Sequence, residues 1–231
     1  MTLAKIKRIR FAHVSGFLVY NSNAAILIDA GHSGTTTRFT EAIREIGKSP
    51  GDVTLIVLTH THFDHAGGAK KIKELCGALL AVHRTEAGCL SKGMTPFPRG
   101  TRWKGKVIRL FGKLFLWRMA AYPPAEADLL IDDEFDLAPY GIPGKVVHTP
   151  GHTSGSLSVL LETGEAIVGD NVLGINMKEH FPPFANDMAG VLQSWELYIR
   201  SGVQTLLPAH GGRVKIECLV NEMDHAKRKY C

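Results

Sequence analysis

At 231 residues the chain is long enough to bury a substantial core, and 45% hydrophobic against 21% charged residues excludes a fibrous or disordered class. Cys76, Cys89, Cys218 and Cys231 form no Cys-x-x-Cys pair, which argues against a disulfide scaffold or a thiolate zinc knuckle and fits a reducing cytoplasm; a terminal Cys231 leaves no prenylation box. The formal charge of +5 mildly favours anionic substrates or surfaces, no stretch approaches the length of a membrane span, and basic residues scattered through the amino terminus argue against a signal peptide.

Lys5 to Phe11, Gly16 to Tyr20 and Ala24 to Ala30 read as three short strands of a meander. The Asp29-Ala30-Gly31 turn leads into a helix over Thr37 to Ile46, with Phe39, Ala42, Ile43 and Ile46 at helical spacing and Gly47 placed to stop it. Val53 to Leu58 is an apolar, largely β-branched run with the length of a buried strand, and it ends abruptly in His60, His62, Asp64 and His65. Gly67-Gly68 follows, then a helix over Ala69 to Cys76 with Ile72 and Leu75 inward, then a strand over Ala78 to Val82. The resulting β-α-β-α-β order implies layered packing.

Residues from about 95 to 128 break this rhythm. Arg102, Lys106, Arg109 and Lys113 lie opposite Val107, Leu110, Phe111, Leu114 and Trp117, which reads as a basic amphipathic helix inserted into the domain. Gly105 and Gly112 weaken it by about 1 kcal/mol each relative to Ala. Its leading reading is a lid that brings Trp103, Phe115 or Trp117 over an apolar pocket; a helix packed on the core and a contact with a membrane surface are the alternatives.

Strands resume near Ile131, over Glu134 to Leu137 and over Lys145 to Thr149, the latter running into Pro150-Gly151-His152-Thr153-Ser154-Gly155. Ser156 to Leu161 and Glu165 to Val168 form a hairpin around Glu162-Thr163-Gly164 that stops at Gly169-Asp170. Asp187 to Ile199 is a helix, with Met188, Val191, Leu192, Trp195 and Tyr198 among its apolar positions. Gln204 to Leu207 is a strand that runs into Pro208-Ala209-His210-Gly211-Gly212. Lys215 to Tyr230 reads as a surface helix with a basic tail. No repeat or linker interrupts the chain, so 1–231 is taken as one domain carrying the insert.

In extended chain His60 and His62 share a face, while Asp64 and His65 on the following turn aim at a neighbouring spot. One short segment therefore offers ligands to two metal ions, and imidazole with carboxylate suits zinc, iron or manganese. A His-x-His-x-Asp-His run arises by chance in a chain with 11 His about once in a thousand. Merely solvated loop histidines would have no reason to gather beside a carboxylate after a core strand. His13, His32, His83, His148, His180 and His225 lack the glycine-flanked strand-end setting and are taken as structural or exposed, with His180 the best outsider for a substrate contact. Tyr20 and Tyr122 are weaker candidates as oxyanion donors.

Together His60, His62, Asp64, His65, His152, Asp170 and His210 resemble the ligand set of the metallo-β-lactamase superfamily. The resemblance runs from the Asp29-Ala30-Gly31 turn to His210-Gly211. It implies a four-layer αβ/βα sandwich of two mixed sheets flanked by helices. It also implies that His60, His62 and His152 hold one metal, that Asp64, His65 and His210 hold a second, and that Asp170 bridges them. An aspartate where the commonest β-lactamases of the family carry cysteine points away from antibiotic hydrolysis. The run from Thr59 to Gly68 is similar to that of acyl-homoserine-lactone-cleaving members, whereas Ser156 departs from the glyoxalase II pattern.

The expected activity is hydrolysis of a carboxylic ester, thioester or lactone with two divalent ions, zinc foremost and iron or manganese as alternatives. A bridging hydroxide would be the nucleophile, and Asp64 would orient it and shuttle a proton to the leaving group. Phosphodiester hydrolysis of RNA or nucleotides and mononuclear iron persulfide dioxygenation are the alternatives. The expected partner is a small acyl-bearing or anionic substrate; nucleic acid is not expected, a homodimer stays open, and the location is cytoplasmic.

Overall fold

A computed structural model describes residues 3–96, 100–101, 120–175 and 179–230 of the chain. The strands β1 (Lys5–Phe11), β2 (Val14–Tyr20), β3 (Ala25–Ile28), β4 (Val53–Val57), β5 (Leu79–His83) and β6 (Leu129–Ile131) form a six-stranded sheet in chain order. β1 to β3 are antiparallel, as tight turns allow, and β3 to β6 are parallel. Parallel pairing needs crossovers, and α1 (Thr36–Glu45) and α3 (Ala69–Cys76) supply them, with the single turn α2 (Phe63–Ala66) just before α3.

The second sheet holds β7 (Glu134–Asp136), β8 (Gly144–His148), β9 (Leu157–Leu161), β10 (Glu165–Gly169), β11 (Thr205–Pro208) and β12 (Val214–Lys215) in the order β12-β11-β10-β9-β8-β7. Its parallel pair, β10 with β11, is joined through α5 (Met188–Arg200). The short helix α4 (Ala87–Lys92) follows β5, and α6 (Ile216–Tyr230) closes the chain.

Period-two alternation explains how the layers stack. Leu27 and Ile56 face Phe39, Ile43 and Ile72 of the helices, whereas Ile26, Ile28, Leu55 and Val57 face Val159, Leu161 and Ile167 of the other sheet. A third cluster packs Val168 and Leu206 against Trp195, Tyr198, Leu219 and Met223. The architecture is the four-layer αβ/βα sandwich. At one end the sheets are tied directly, by backbone hydrogen bonds from Leu157 N to Thr59 O at 2.7 Å and from Ser15 N to Ala209 O at 2.9 Å.

Two side-chain expectations change. Leu75 is 45% exposed, and Cys76, four residues after buried Ile72, packs against the core in its place before Gly77 ends α3. The last helix is not a surface appendage: Leu219, Met223 and Ala226 recur at i, i+4 and i+7 and are buried in the third cluster. The helix expected over Arg102 to Trp117, with the lid, core and membrane readings attached to it, lies outside the described residues. Its flanks are described: Met94 pairs with Ala121, and Tyr122 N donates to Gly93 O at 2.9 Å, closing the neck of that excursion.

Trp195 is fully buried and its Nε1–H donates to Asn171 O at 2.8 Å. Trp195→Ala is expected to cost about 3–5 kcal/mol in urea unfolding, and Trp195→Phe clearly less, with the slope unchanged in both.

Candidate metal centre

Every candidate ligand follows the carboxyl end of a strand, where open α/β sheets bind their ligands. β4 runs on into His60 and His62, and α2 then turns Asp64 and His65 toward the same space, with His65 N donating to His62 O at 2.9 Å. Gly68 permits this turn to press on the Asp29–Gly31 turn, since a Cβ there would stand 2.3 Å from Ala30 O. From the other sheet come His152 after β8, Asp170 after β10 and His210 after β11. Gly169 has φ +52, and a Cβ would meet Thr59 Oγ1 at 2.7 Å, so the strand carrying Asp170 approaches the histidine segment only with glycine there.

All of these residues converge. His62 Nδ1 lies 2.9 Å from His60 Nε2 and 3.1 Å from His152 Nε2. Tetrahedral zinc at 2.0–2.1 Å from nitrogen has ligand-to-ligand edges of about 3.3 Å, so this trio is close to the spacing a cation requires. In the second group Asp64 Oδ2 is 3.4 Å from His210 Nε2 and 3.9 Å from His65 Nε2. Asp170 spans both: Oδ1 is 3.3 Å from His65 Nε2 and 3.5 Å from His210 Nε2, while Oδ2 is 3.5 Å from His152 Nε2. Among the described residues His65 Nε2 and Asp170 Oδ1 are buried without a well-aligned hydrogen bond and face each other at 3.3 Å, an arrangement that a shared cation would satisfy. The donor set and the orphaned atoms fit divalent metal binding.

The far nitrogens of four imidazoles are fixed by hydrogen bonds, which sets the tautomer that presents Nε2 to the site. His65 Nδ1 donates to Asp29 Oδ2, His152 Nδ1 to Phe184 O and His210 Nδ1 to His13 O, each at 2.8 Å. His60 Nδ1 donates to Thr59 Oγ1 at 3.1 Å, and that hydroxyl donates to Asp29 Oδ2 at 2.8 Å. Asp29 is fully buried at φ +59, a left-handed conformation that aspartate tolerates. In the sequence Asp29 is legible only as part of a turn, and an acid closing a fully apolar strand is the available signal.

Electrostatics divide the two groups. Burial pushes His60, His62 and His152 down, with the neighbouring imidazoles adding to the effect, and His62 falls to about 3; these rings are neutral donors. Burial also opposes charge on the other side, but there attraction wins. Asp64 is held below the usual carboxylate range by His65, and Asp170 well below it by His210 and His65. Asp170 in turn leads in raising His65 well above its ordinary value and His210 to about 9.

A cavity of about 410 Å³ lies over both groups, with Phe63, Leu173, Ile175, Pro182, Pro183 and Phe184 forming its apolar wall. The other singled-out residues lie elsewhere. His180 is buried and donates to Glu222 Oε2 at 2.9 Å, and His83 stacks on His148 at 4.1 Å. Tyr20 pairs with Lys5 and Ala25, at the end of β2 remote from the site. Tyr122 is buried with its hydroxyl 3.1 Å from Thr95 Oγ1 and donating to Cys89 O at 3.3 Å, so it is bonded away from the cavity.

Residues 9–210 match the family model described as the metallo-beta-lactamase superfamily. The chain belongs to that superfamily of metallo-hydrolases. It is 30% identical over 190 residues to a probable metallo-hydrolase of Methanocaldococcus jannaschii, covering 80% of this chain and 82% of that one. It is 26% identical over 205 residues to an acyl-coenzyme A thioesterase of Gallus gallus, covering 84% and 71%. Two further curated relatives are spanned over only 65% of their own length. Among solved structures, the B3 metallo-beta-lactamase BLEG-1 superposes with TM-score 0.72 over 98% of this chain and 100% of that one at 21% identity, a likeness of fold.

Protons on His65 and His210 compete with a cation for the Asp64–His65–His210 group. Because His210 titrates at about 9, apparent metal affinity is expected to rise with pH up to about 9 and to fall below it, with protons released on loading at pH 7. Titration calorimetry with zinc in buffers of different ionisation heat reads this release; pH-independent uptake without it would contradict the assignment.

Proposed function

We propose that the protein is a dinuclear metal-dependent hydrolase of carboxylic esters, thioesters or lactones. In this reading His60, His62 and His152 would hold one divalent cation and Asp64, His65 and His210 the other, with Asp170 facing both groups. The observation that carries it is the division of the Asp170 carboxylate, one oxygen toward each group of imidazoles. Nitrogen and oxygen donors favour zinc, with iron or manganese as alternatives. When bound, the two cations supply Lewis acidity and a water activated at neutral pH.

The chain's own residues supply the rest. Asp64, with a side chain 23% exposed, is ionised at neutral pH and stands beside the cavity, where it can orient the attacking water and carry a proton to the leaving oxygen or sulfur. The Phe63–Ile175–Phe184 wall excludes water and accepts an acyl group. Among the described residues the lining beyond the ligand groups is mostly apolar, which supports an acyl-bearing substrate. The thioesterase relative supports the thioester arm of the proposal. A divided carboxylate weighs against the single-iron dioxygenase alternative.

We retain the cytoplasm as the proposed location and 1–231 as one functional unit. Among the described residues Cys76, Cys89 and Cys218 are free, and no helix is long and apolar enough to cross a membrane.

Steady-state assays of metal-reconstituted protein on an acyl series test the reading. kcat/KM is expected to rise by up to about fourfold per methylene until the cavity is filled. Asp64→Asn is expected to lower kcat by about 10²–10⁴-fold. Absence of any carbonyl ester, thioester or lactone turnover, or oxygen uptake with a persulfide by an iron-loaded form, would sink it.

A further inference from the structure

Thr61 separates the two histidines of the His60-x-His62 run, and residues far along the chain hold each of its polar groups. Glu86 Oε2 accepts from Thr61 N at 3.2 Å and from the Thr61 hydroxyl at 2.5 Å. The Thr95 hydroxyl donates to Thr61 O at 2.5 Å, and the Tyr122 hydroxyl lies 3.1 Å from Thr95 Oγ1. Glu86 is 4% exposed, and among the described residues no lysine or arginine forms an ion pair with it. A buried carboxylate in that condition is costly unless its hydrogen bonds have a purpose.

Two further observations identify the purpose. Glu86 is the N-cap residue of α4, yet its side chain makes no cap hydrogen bond and turns to Thr61 instead. Its other flank lies against the turn that carries His152: a Cβ on Gly155 would stand 2.5 Å from Glu86 Cγ and 2.6 Å from Thr85 Oγ1. Glu86 is thus wedged between the two segments that deliver His60, His62 and His152.

We propose that Glu86 is a positioning residue of the three-histidine group, acting through Thr61 to fix the directions in which His60 and His62 present their nitrogens. It rests on the metal-centre reading above and on no assumption about substrate. Loss of such supporting hydrogen bonds at metal sites lowers affinity by about 10–100-fold, and this is the effect expected here.

The test uses the full chain, with Zn²⁺ affinity measured by chelator competition and the Co²⁺ form by its visible ligand-field spectrum. Glu86→Ala is expected to weaken uptake by about 10–100-fold and to change the cobalt spectrum, whereas Glu86→Gln, which keeps an acceptor oxygen, stays within about threefold of the parent. Leu219→Ala, in the outer core away from the site, is expected to lower thermal stability while leaving affinity and spectrum unchanged. Should Glu86→Ala fail to fold, Thr61→Val removes the hydroxyl at nearly constant shape and is expected to lose about tenfold.

Parent-like affinity and spectrum in Glu86→Ala, or in Thr61→Val where it stands in, overturns the proposal, as does an equal loss in Leu219→Ala. A parent chain that takes up neither cation overturns the metal-centre reading and this proposal with it, a result distinct from a parent that binds and a Glu86→Ala that binds equally well.

Discussion

Two backbone hydrogen bonds between the sheets, Leu157 to Thr59 and Ser15 to Ala209, fix where chemistry can occur in this molecule. Between them the sheets meet largely through apolar side chains, which resist separation but tolerate small shifts. At this end the chains themselves are tied, just before His60 on one side and just before His210 on the other. Ligands from both halves are thereby held to the fractions of an ångström that a coordination sphere demands.

The assembled centre is electrostatically divided, and the division follows from which element supplies which residue. The strand-end histidines arrive buried among other rings and stay neutral, while Asp64 and Asp170 meet His65 and His210 as an ionised cluster. In the ionised cluster, among the described residues, His65 Nε2 and Asp170 Oδ1 are buried without a well-aligned hydrogen bond. Metal binding would therefore contribute to stability as well as to chemistry, because the cation would satisfy those two atoms.

Much of the frame was legible in local sequence. The run from Val53 into His60 and the Ala69–Cys76 helix before Gly77 owe their boundaries to residues within them, and the structure reproduces them closely. Leu75 was misassigned because three- and four-residue spacings from Ile72 look alike on paper, and only the sheet beneath α3 selects Cys76. The burial of α6 was hidden for a similar reason, since its apolar stripe meets a partner helix that the sequence does not announce. The residues that orient the histidines were the least legible. Asp29 works through Thr59 and His65, 30 and 36 positions away, and Glu86 through Thr61, 25 positions away, so no periodicity could reveal them. Tyr122 is a candidate oxyanion donor by residue type alone, and its hydroxyl belongs to the scaffold around Thr95.

The pairing of Met94 with Ala121 has an implication for how such a protein can diversify. That pairing brings the two ends of the stretch together, and the entropy of closing a loop changes only slowly with its length. A change of length between Thr101 and Ala120 leaves Thr95, which holds Thr61, where it is. Length in that stretch and the bonds that hold the histidine segment are thereby separable within one chain, and a lineage can vary the one without rebuilding the other.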